Sequence, residues 1–340
     1  VDSLVPMTFN NLGATGRLTV TDPTAADGDR LVYNGTQASD VFTLPHGVVP
    51  APSIALNSQI GVGTTAVENY TLRGLGGADT FNISPTPTNV AVLVQGDEPG
   101  SSDTLNFGSV GAPTVDLGLS TIEDAGVAPT PNVTYSGIET INVDSNTQNL
   151  TVIGTAVDDV VVVTPLGVNS GTLQANGVAP VVNFAETGTF TVDGSGGTDL
   201  LVVNGSEDSD TITANGNRVT VEPAGEPARE TVNYTSFNSL QVNGLFGNDT
   251  FNVTPSAAVS MFIDGGDPIA PIGSVFVDTL NITADASSVF APGPEADEGG
   301  FLIDGSERVS YDHIEALSVI DSTQTPGPIA ATVCGTNGDD

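Results

Sequence analysis

The chain has 340 residues, of which 41 are acidic and 6 are basic, and its formal net charge at pH 7 is −35. All the basic residues are arginine, and the chain contains neither lysine nor tryptophan. Nucleic-acid binding requires clustered Lys and Arg, and a membrane-surface helix requires a basic face, so the composition excludes both. Hydrophobic residues make up 38% of the chain, which is typical of a folded protein rather than a disordered one.

In chain order, residues 1–30 carry no clear motif, and we interpret them as an N-terminal cap or docking segment. Beyond them, short alternating segments rich in β-branched residues are separated by Gly, Asn, Asp and Pro clusters, which is the pattern of strands joined by turns. No segment has the period of a helix. Asn215-Gly216 predicts a tight hairpin over 211–221. The clearest predicted strands are Leu150–Ile153, Val160–Val163, Phe190–Val192, Leu200–Val203, Thr211–Thr213, Val219–Val221, Val232–Tyr234, Leu240–Val242 and Phe251–Val253.

A first repeated motif places an Asp five residues after a Gly, and that Gly is followed by Ser or Thr. It occurs four times, as Gly35 to Asp40, Gly154 to Asp159, Gly205 to Asp210 and Gly335 to Asp340. Because the last copy occupies the final residues of the sequence, we expect the chain to continue into a further repeat or to be completed by another chain.

A second, glycine-rich motif follows each of the first three copies, and it also ends on an Asp five residues after its first Gly. Its copies run from Gly74 to Asp79, from Gly194 to Asp199 and from Gly244 to Asp249. The distance from the Gly of the first motif to that of the second is 39 residues (35 to 74), 40 residues (154 to 194) and 39 residues (205 to 244). This constancy indicates a repeat architecture.

Two further motifs occur twice each. Asp-Thr-Leu-Asn stands at Asp103–Asn106 and Asp278–Asn281, and Val-x-Tyr-x-x-Ile-Glu stands at Val133–Glu139 and Val309–Glu315. Together the motifs divide the chain after residue 30 into a long repeat at 31–149, a short unit at 150–200, a second long repeat at 201–320, and a linker with the start of a further repeat at 321–340.

Short strands with Gly/Asp turns predict an all-β protein. We favour a β-solenoid, similar to a parallel β-helix, because equivalent residues of imperfect repeats would stack in ladders from coil to coil. Hairpins such as 211–221 would protrude from it. The alternative is a series of tandem antiparallel β-sandwich domains.

The repeated Asp residues are candidate calcium ligands. Ca²⁺ takes roughly six to eight oxygens from carboxylates, carbonyls and waters, and Gly-rich turns that end on Asp supply the first two. The same residues also suit Asx turns, in which the carboxylate accepts backbone N–H bonds, and this alternative stays open. The candidate ligands are Asp79, Asp199, Asp249, Asp40, Asp159 and Asp210, followed by Asp208, Asp264 and Asp267.

The second motif resembles the calcium-binding nonapeptide of hemolysin-type (RTX) β-rolls, as in Gly76-Gly77-Ala78-Asp79-Thr80-Phe81. The wider pattern is similar to repeats of large secreted or surface proteins of environmental bacteria. The resemblance covers most of 31–320, and it implies an extracellular, calcium-associated, β-rich structural protein. RTX nonapeptides run in tandem, whereas these motifs stand tens of residues apart, so we expect scattered calcium sites rather than a continuous row.

These features favour a structural role over catalysis. We expect an extracellular or cell-surface repeat protein of a surface layer, matrix or self-assembling filament, in which Ca²⁺ stabilises acidic turns. The expected partner is a second copy joined head to tail, or further repeats of a longer chain. A first alternative is an adhesin stalk module that binds cell-surface polysaccharide. A second is a β-helix polysaccharide lyase or glycoside hydrolase that uses paired carboxylates, but repeated Asp positions suit a structural role better than a unique catalytic site.

Overall fold

A computed structural model describes residues 18–21, 28–44, 53–84, 90–97, 102–127, 132–178, 180–268, 277–284, 288–321 and 331–333. These residues form strands and turns and no helix. Most strand pairs are parallel and join residues of successive coils, which confirms the prediction of an all-β, solenoid-like fold. Compact packing divides the chain into unit 1, residues 1–110 and 121–139, and unit 2, residues 111–120 and 140–340.

The strands of unit 1 are short and follow one another closely. They are β1 (Leu18–Thr21), β2 (Arg30–Asn34), β3 (Val41–Leu44), β4 (Ser53–Leu56), β5 (Val62–Thr65), β6 (Asn69–Arg73), β7 (Thr80–Ile83), β8 (Ala91–Gln95), β9 (Thr104–Gly108), β11 (Thr121–Asp124) and β12 (Val133–Ser136).

The strands of unit 2 begin with β10 (Pro113–Asp116), which precedes β11 in the chain. The others are β13 (Thr140–Asp144), β14 (Leu150–Ile153), β15 (Val160–Gly167), β16 (Ser170–Ala175), β17 (Val181–Ala185), β18 (Phe190–Asp193), β19 (Leu200–Asn204), β20 (Asp210–Asn215), β21 (Arg218–Pro223), β22 (Val232–Thr235), β23 (Ser239–Asn243), β24 (Thr250–Val253), β25 (Ser260–Asp264), β26 (Thr279–Ala284), β27 (Ser288–Pro292), β28 (Gly299–Ile303), β29 (Val309–Asp312), β30 (Ala316–Asp321) and β31 (Ala331–Val333).

Within unit 1, successive strands alternate between two runs of hydrogen-bonded strands, so that one coil contributes a strand to each run. The first run is β2–β6–β8–β12 in parallel, followed by the antiparallel strand β11. The second run has β1 parallel to β5, then the antiparallel steps β5–β4 and β4–β3, and then β3–β7–β9 in parallel.

Unit 2 repeats this arrangement. One run is β10–β14–β18–β22 in parallel, then β21 antiparallel to both β22 and β20, then β20–β24–β26–β30 in parallel. The other run joins β13–β17, then β16 antiparallel to both β17 and β15, then β15–β19–β23–β25–β29 in parallel. It continues through antiparallel β28 and β27 to β31.

The antiparallel strands explain the constant separation between the first two motifs. Each interval of 39 or 40 residues contains four strands instead of the two of a simple coil, and one of the four runs antiparallel to its neighbours: β4, β16 or β21. The predicted hairpin over 211–221 forms as β20 and β21, with Asn215 opposite Arg218. It does not protrude as we expected. Thr211 pairs with Thr250 of the parallel strand β24 on one side, and Val219 pairs with Val232 of the antiparallel strand β22 on the other, so both strands of the hairpin are bonded within the run.

Each coil buries every second side chain, as a two-sided strand requires. In β24, Phe251 and Val253 are buried, whereas Thr250 and Asn252 face outward. Buried aromatic rings stack between neighbouring coils, with centroids 4.9 Å apart for Phe42 and Phe81 in unit 1. The stacked apolar interior is therefore continuous from strand to strand within each unit, as the solenoid prediction requires.

Candidate functional site: buried carboxylate ladders

The repeated Asp residues lie directly before parallel strands, or at the first residue of the strand in the case of Asp210, and form three rows that we call carboxylate ladders. In each row, a side-chain oxygen of one member accepts a hydrogen bond from the backbone N–H of the preceding member. Ladder 1 is Asp40, Asp79, Asp103 and Glu139. Ladder 2 is Asp159, Asp199 and Asn238. Ladder 3 is Asp210, Asp249, Asp278 and Glu315.

The hydrogen bonds along the ladders are short and uniform. In ladder 1 the donor–acceptor distance is 2.7 Å at each of the three steps. The distances are 2.8 and 2.9 Å in ladder 2 and between 2.6 and 2.7 Å in ladder 3. Every Asp in the ladders is at most 2% exposed. The carboxylates therefore extend the backbone ladder of the sheet by one residue beyond each strand, inside the coil.

The first member of each ladder is the Asp of the first motif, and both of its oxygens are hydrogen-bonded. In ladders 1 and 2 the donors are its own turn and a neighbouring Asn. In ladder 3 both donors belong to Ser206 of its own turn. Oδ2 of Asp159 accepts the backbone N–H of Thr155 at 2.6 Å, and the Thr155 hydroxyl donates at 2.9 Å. Oδ1 accepts the Asn176 amide at 2.6 Å. Asn176 lies just after the antiparallel strand β16. Its amide supplies the hydrogen bond to Oδ1 that, in later ladder members, comes from the backbone N–H of the preceding member. Asn57 after β4 does the same for Asp40.

The next members follow the second motif, and their turns differ. The residue after the motif's first Gly has a positive φ: 76° at Leu75, 71° at Ser195 and 78° at Leu245. In the part of the chain that the structure describes, Oδ2 of Asp79, Asp199 and Asp249 then has no hydrogen-bond donor, and neither has Oδ2 of Asp103 in the third motif. The two sequence motifs are thus one Gly-x4-Asp frame with two turn forms, one that begins a ladder and one that continues it.

The Gly of this frame is required by the carboxylate itself. A Cβ added to Gly74 would lie 2.0 Å from Oδ2 of Asp79, and one added to Gly244 would lie 2.2 Å from Oδ2 of Asp249. The same crowding holds for Gly35, Gly154 and Gly205, at 2.7–2.8 Å from their own Asp. A side chain at this position would displace the buried Asp, because real Cβ atoms do not approach an oxygen so closely.

Burial raises the pKa of the ladder carboxyl groups. Desolvation raises the pKa of Asp79 and of Asp278 to about 6 and that of Asp249 to about 7, and the neighbouring ladder carboxylates add to each shift. Desolvation also raises the pKa of Asp103 and Asp199. A buried carboxyl group with a charged neighbour favours its neutral form. These carboxyl groups therefore hold a proton at a higher pH than exposed ones.

The ladders end on residues that sequence reasoning did not assign to a site. Glu139 and Glu315 come from the Val-x-Tyr-x-x-Ile-Glu motif, and each accepts the N–H of the last Asp through a longer side chain at 2.7 Å. Asn238 closes ladder 2 in the same way at 2.9 Å. A third copy of that motif, Val232-x-Tyr234-x-x-Phe237-Asn238, would have revealed this end, because its apolar spacing matches the other two.

The structure separates the nine predicted calcium ligands into two groups. Asp40, Asp79, Asp159, Asp199, Asp210 and Asp249 are buried ladder members, as described above. Asp208 and Asp267 are exposed in turns. Asp264 is half-buried and its Oδ1 contacts Nδ1 of His313 at 2.8 Å. Asp340 and Cys334, at the last copy of the first motif, lie outside the described residues.

In the part of the chain that the structure describes, the ladder carboxylates do not by themselves supply the ligand set of a calcium ion. Asp79, Asp103, Asp199 and Asp249 each offer one oxygen without a hydrogen-bond partner among the described residues, whereas Ca²⁺ takes roughly six to eight oxygens. Among the described residues, no three His, Cys, Asp or Glu side chains converge on a point that a metal ion could occupy. The first members have the Asx-type role that the sequence left open, because each accepts a backbone N–H of its own turn. The interior members instead accept the backbone N–H of the preceding coil.

Comparison with known proteins gives no relative: no protein-family model matches the chain, and neither does any curated protein at a significant level. The part of the chain that is described also holds no helix long and apolar enough to cross a membrane. Since the ladder carboxylates are buried, they have no access to a substrate, and what they can do chemically is hold the coils in register.

Proposed function

We propose that this protein is an extracellular structural repeat protein that forms part of a surface layer, matrix or self-assembling filament. The observation that carries the proposal is the set of carboxylate ladders, which use the repeated motif residues to join one coil to the next. Residues that recur in every coil and are buried contribute to a body rather than to a single reaction centre. Because they recur and are buried, the ladder carboxylates are also poorly placed to act as catalytic groups.

The partner in this proposal is a second copy of the chain or further repeats of the same kind. Among the described residues, β30 at the end of its run pairs only with β26. An edge strand with unpaired backbone groups accepts another strand readily. Head-to-tail addition at such an edge gives a filament when the rotation between copies does not close.

We further propose that calcium acts at carboxylates outside the ladders: the exposed Asp208 and Asp267, and the half-buried Asp264 at the end of β25. The support is electrostatic. A chain with 41 acidic and 6 basic residues repels itself, and a divalent cation bound with carbonyls and waters lowers that repulsion. An extracellular location suits this role because calcium is abundant there.

Electron microscopy and sedimentation of one sample, with calcium and with chelator, test both parts. We expect oligomers or filaments at high protein concentration, and a lower melting temperature after chelation. Ser318→Lys places a charge on the edge strand β30 and should reduce assembly. Gln174→Lys adds the same charge on the outward face of β16, inside a run, and should not. A strictly monomeric protein would refute self-assembly, and an unchanged melting temperature on chelation would refute the calcium proposal.

A second role, as a carbohydrate-binding stalk module, is favoured by one specific observation. The outer face of unit 2 carries an open groove of about 410 Å³ across β19, β23, β25 and β29. Seven of its nine lining residues come from outward-facing positions, and the buried Leu240 and Met261 complete the lining.

A further inference from the structure

The groove is built by the parallel register of four strands. Ser239 lies beside Leu200 on one side and Ser260 on the other, and Gln241 lies beside Phe262. All of them face away from the apolar interior, because the alternate residues Leu240 and Met261 are buried. The outward positions of the four strands therefore form two adjacent columns, whose groove-lining members are Leu200, Ser239, Ser260, Arg308, Gln241, Phe262 and Ser310.

Small side chains open the groove between larger ones. The hydroxyl groups of Ser239 and Ser260 are 2.9 Å apart on neighbouring strands, and Ser310 continues the hydroxyl lining on β29. Leu200, Phe262 and Arg308 stand around them. The volume of about 410 Å³ lies within the range of roughly 300–1,000 Å³ that small-molecule sites occupy.

The lining combines one cation, one aromatic ring and several hydroxyl or amide groups. Arg308 is the charged lining residue. It is exposed, and no carboxylate of the described residues forms an ion pair with it. Phe262 is half-buried, so part of its ring faces the groove. Arg binds a carboxylate through two parallel N–H donors, and an aromatic face packs against apolar C–H surface.

We propose that this groove binds a short oligosaccharide that carries one uronic acid. The carboxylate of the sugar acid accepts hydrogen bonds from Arg308, a sugar ring packs its C–H face on Phe262, and sugar hydroxyls bond to Ser239, Ser260 and Gln241. The single positive charge matches a single carboxylate. A polyanion would meet the field of a chain with net charge −35, so a densely charged ligand is disfavoured. The inference deepens the second role proposed above and does not depend on self-assembly.

The test is calorimetric titration of the full chain with a xylo-oligosaccharide that bears one glucuronic acid, beside the same chain without the acid. We expect the acidic probe to bind more tightly than the neutral one. Arg308→Gln should lower affinity for the acidic probe by about tenfold or more, the value of one charge-assisted hydrogen bond, and should remove the preference between the two probes. Arg218→Gln, an exposed Arg on β21, is the matched charge control and should leave both affinities unchanged.

A second pair of variants tests the place of binding independently of charge. Ser239→Tyr fills the groove with a side chain that strands accept readily, and it should abolish binding while the melting temperature stays within a few degrees of the parent. Thr80→Tyr at an outward position of β7 is its control and should bind normally. Failure of both probes to bind the parent chain at millimolar concentration would overturn the proposal. So would binding that survives Ser239→Tyr, or equal affinity for an acidic peptide of the same charge.

Discussion

Oδ1 of Asp79 accepts a hydrogen bond of 2.7 Å from the backbone N–H of Asp40, which lies 39 residues earlier in the chain. The carbonyl of Asp40 accepts the N–H of Thr80 at 2.8 Å. Both backbone groups of Asp40 are thus bonded to the next coil, one by a side chain and one by the main chain. A slip of one residue between β3 and β7 would break both bonds and would also turn the buried faces outward.

The carboxyl group of an interior ladder residue accepts a buried hydrogen bond and also places a charge in the interior, and two substitutions should separate these effects. Asp249→Ala removes the acceptor for the buried N–H of Asp210 and should cost about 1–3 kcal/mol of stability. Asp249→Asn keeps an acceptor oxygen and removes the buried charge, so it should equal or exceed the parent in stability at pH 8. Asn238 already occupies a ladder position in this way. Urea unfolding of the three proteins at pH 8 measures the difference, and equal losses in both variants would contradict it.

The ladders should make the protein more stable in mild acid than in mild base. Burial raises the pKa of Asp79 and Asp278 to about 6 and that of Asp249 to about 7, above the ordinary value of 3.8. Burial also raises the pKa of Glu230 to about 7, from 4.5. Between the ordinary and the raised values the folded chain binds more protons than the unfolded chain. The free energy of unfolding therefore falls as pH rises through that window.

The measurement is the urea midpoint at pH 5 and at pH 8 with constant ionic strength. We expect the higher midpoint at pH 5, because the stabilisation is fully present below about pH 4 and is lost above about pH 7. Asp249→Asn should reduce the difference between the two midpoints, since it removes one of the titrating groups. A higher midpoint at pH 8 would contradict the prediction, because it would show that ionising the ladder carboxylates costs the folded protein little free energy.

The two Gly positions of the turns should respond differently to a methyl group. Gly244→Ala places a Cβ 2.2 Å from Oδ2 of Asp249 and 2.5 Å from the carbonyl oxygen of Gly265. Such overpacking should cost about 1–3 kcal/mol. Gly196→Ala is the control, because the nearest atom to its Cβ would be 3.7 Å away and its φ is not positive. Thermal melting should show a clear loss for the first variant and none for the second.

The strands were predictable from the sequence because alternation is strict. Leu150–Ile153 is β14 without change, and Phe251–Val253 is β24 with one residue added. The same alternation also determines whether the side chains of the ladder residues face the interior or the solvent. Asp249 has the parity of Phe251 and Val253, so it faces inward with them. From its motif we expect Asp249 to be a calcium ligand or an Asx-turn residue, and neither interpretation uses this parity to place the carboxylate in the interior.

Other features could not be read from local patterns. The 211–221 hairpin was evident from its turn, but its place inside a run depends on the parallel pairing of Thr211 with Thr250, which local propensity does not specify. Likewise, Asn57 and Asn176 complete the first ladder members from across an antiparallel strand. Such contacts arise only when the chain has folded back, so a motif search along the sequence does not find them.

A substitution to Gly at the residue after the first Gly of the frame should have opposite effects on stability in the two turn forms. Ser195 is exposed with φ at 71°, and its backbone N–H bonds to Asp193 at 2.9 Å. Ser195→Gly keeps that bond and relieves the left-handed strain, so it should stabilise the protein by about 0.5–1 kcal/mol. Thr155 occupies the matching place in the first motif, without a positive φ, and its hydroxyl donates to Asp159 at 2.9 Å.

Thr155→Gly removes that hydroxyl bond and adds freedom to the unfolded chain, so it should destabilise the protein by about 1–2 kcal/mol. The melting temperatures of the two variants should therefore move in opposite directions from the parent, although both changes introduce Gly at the same place of the Gly-x4-Asp frame. A shift of the same sign in both would mean that the two turn forms do not differ in the way their hydrogen bonds and dihedral angles indicate.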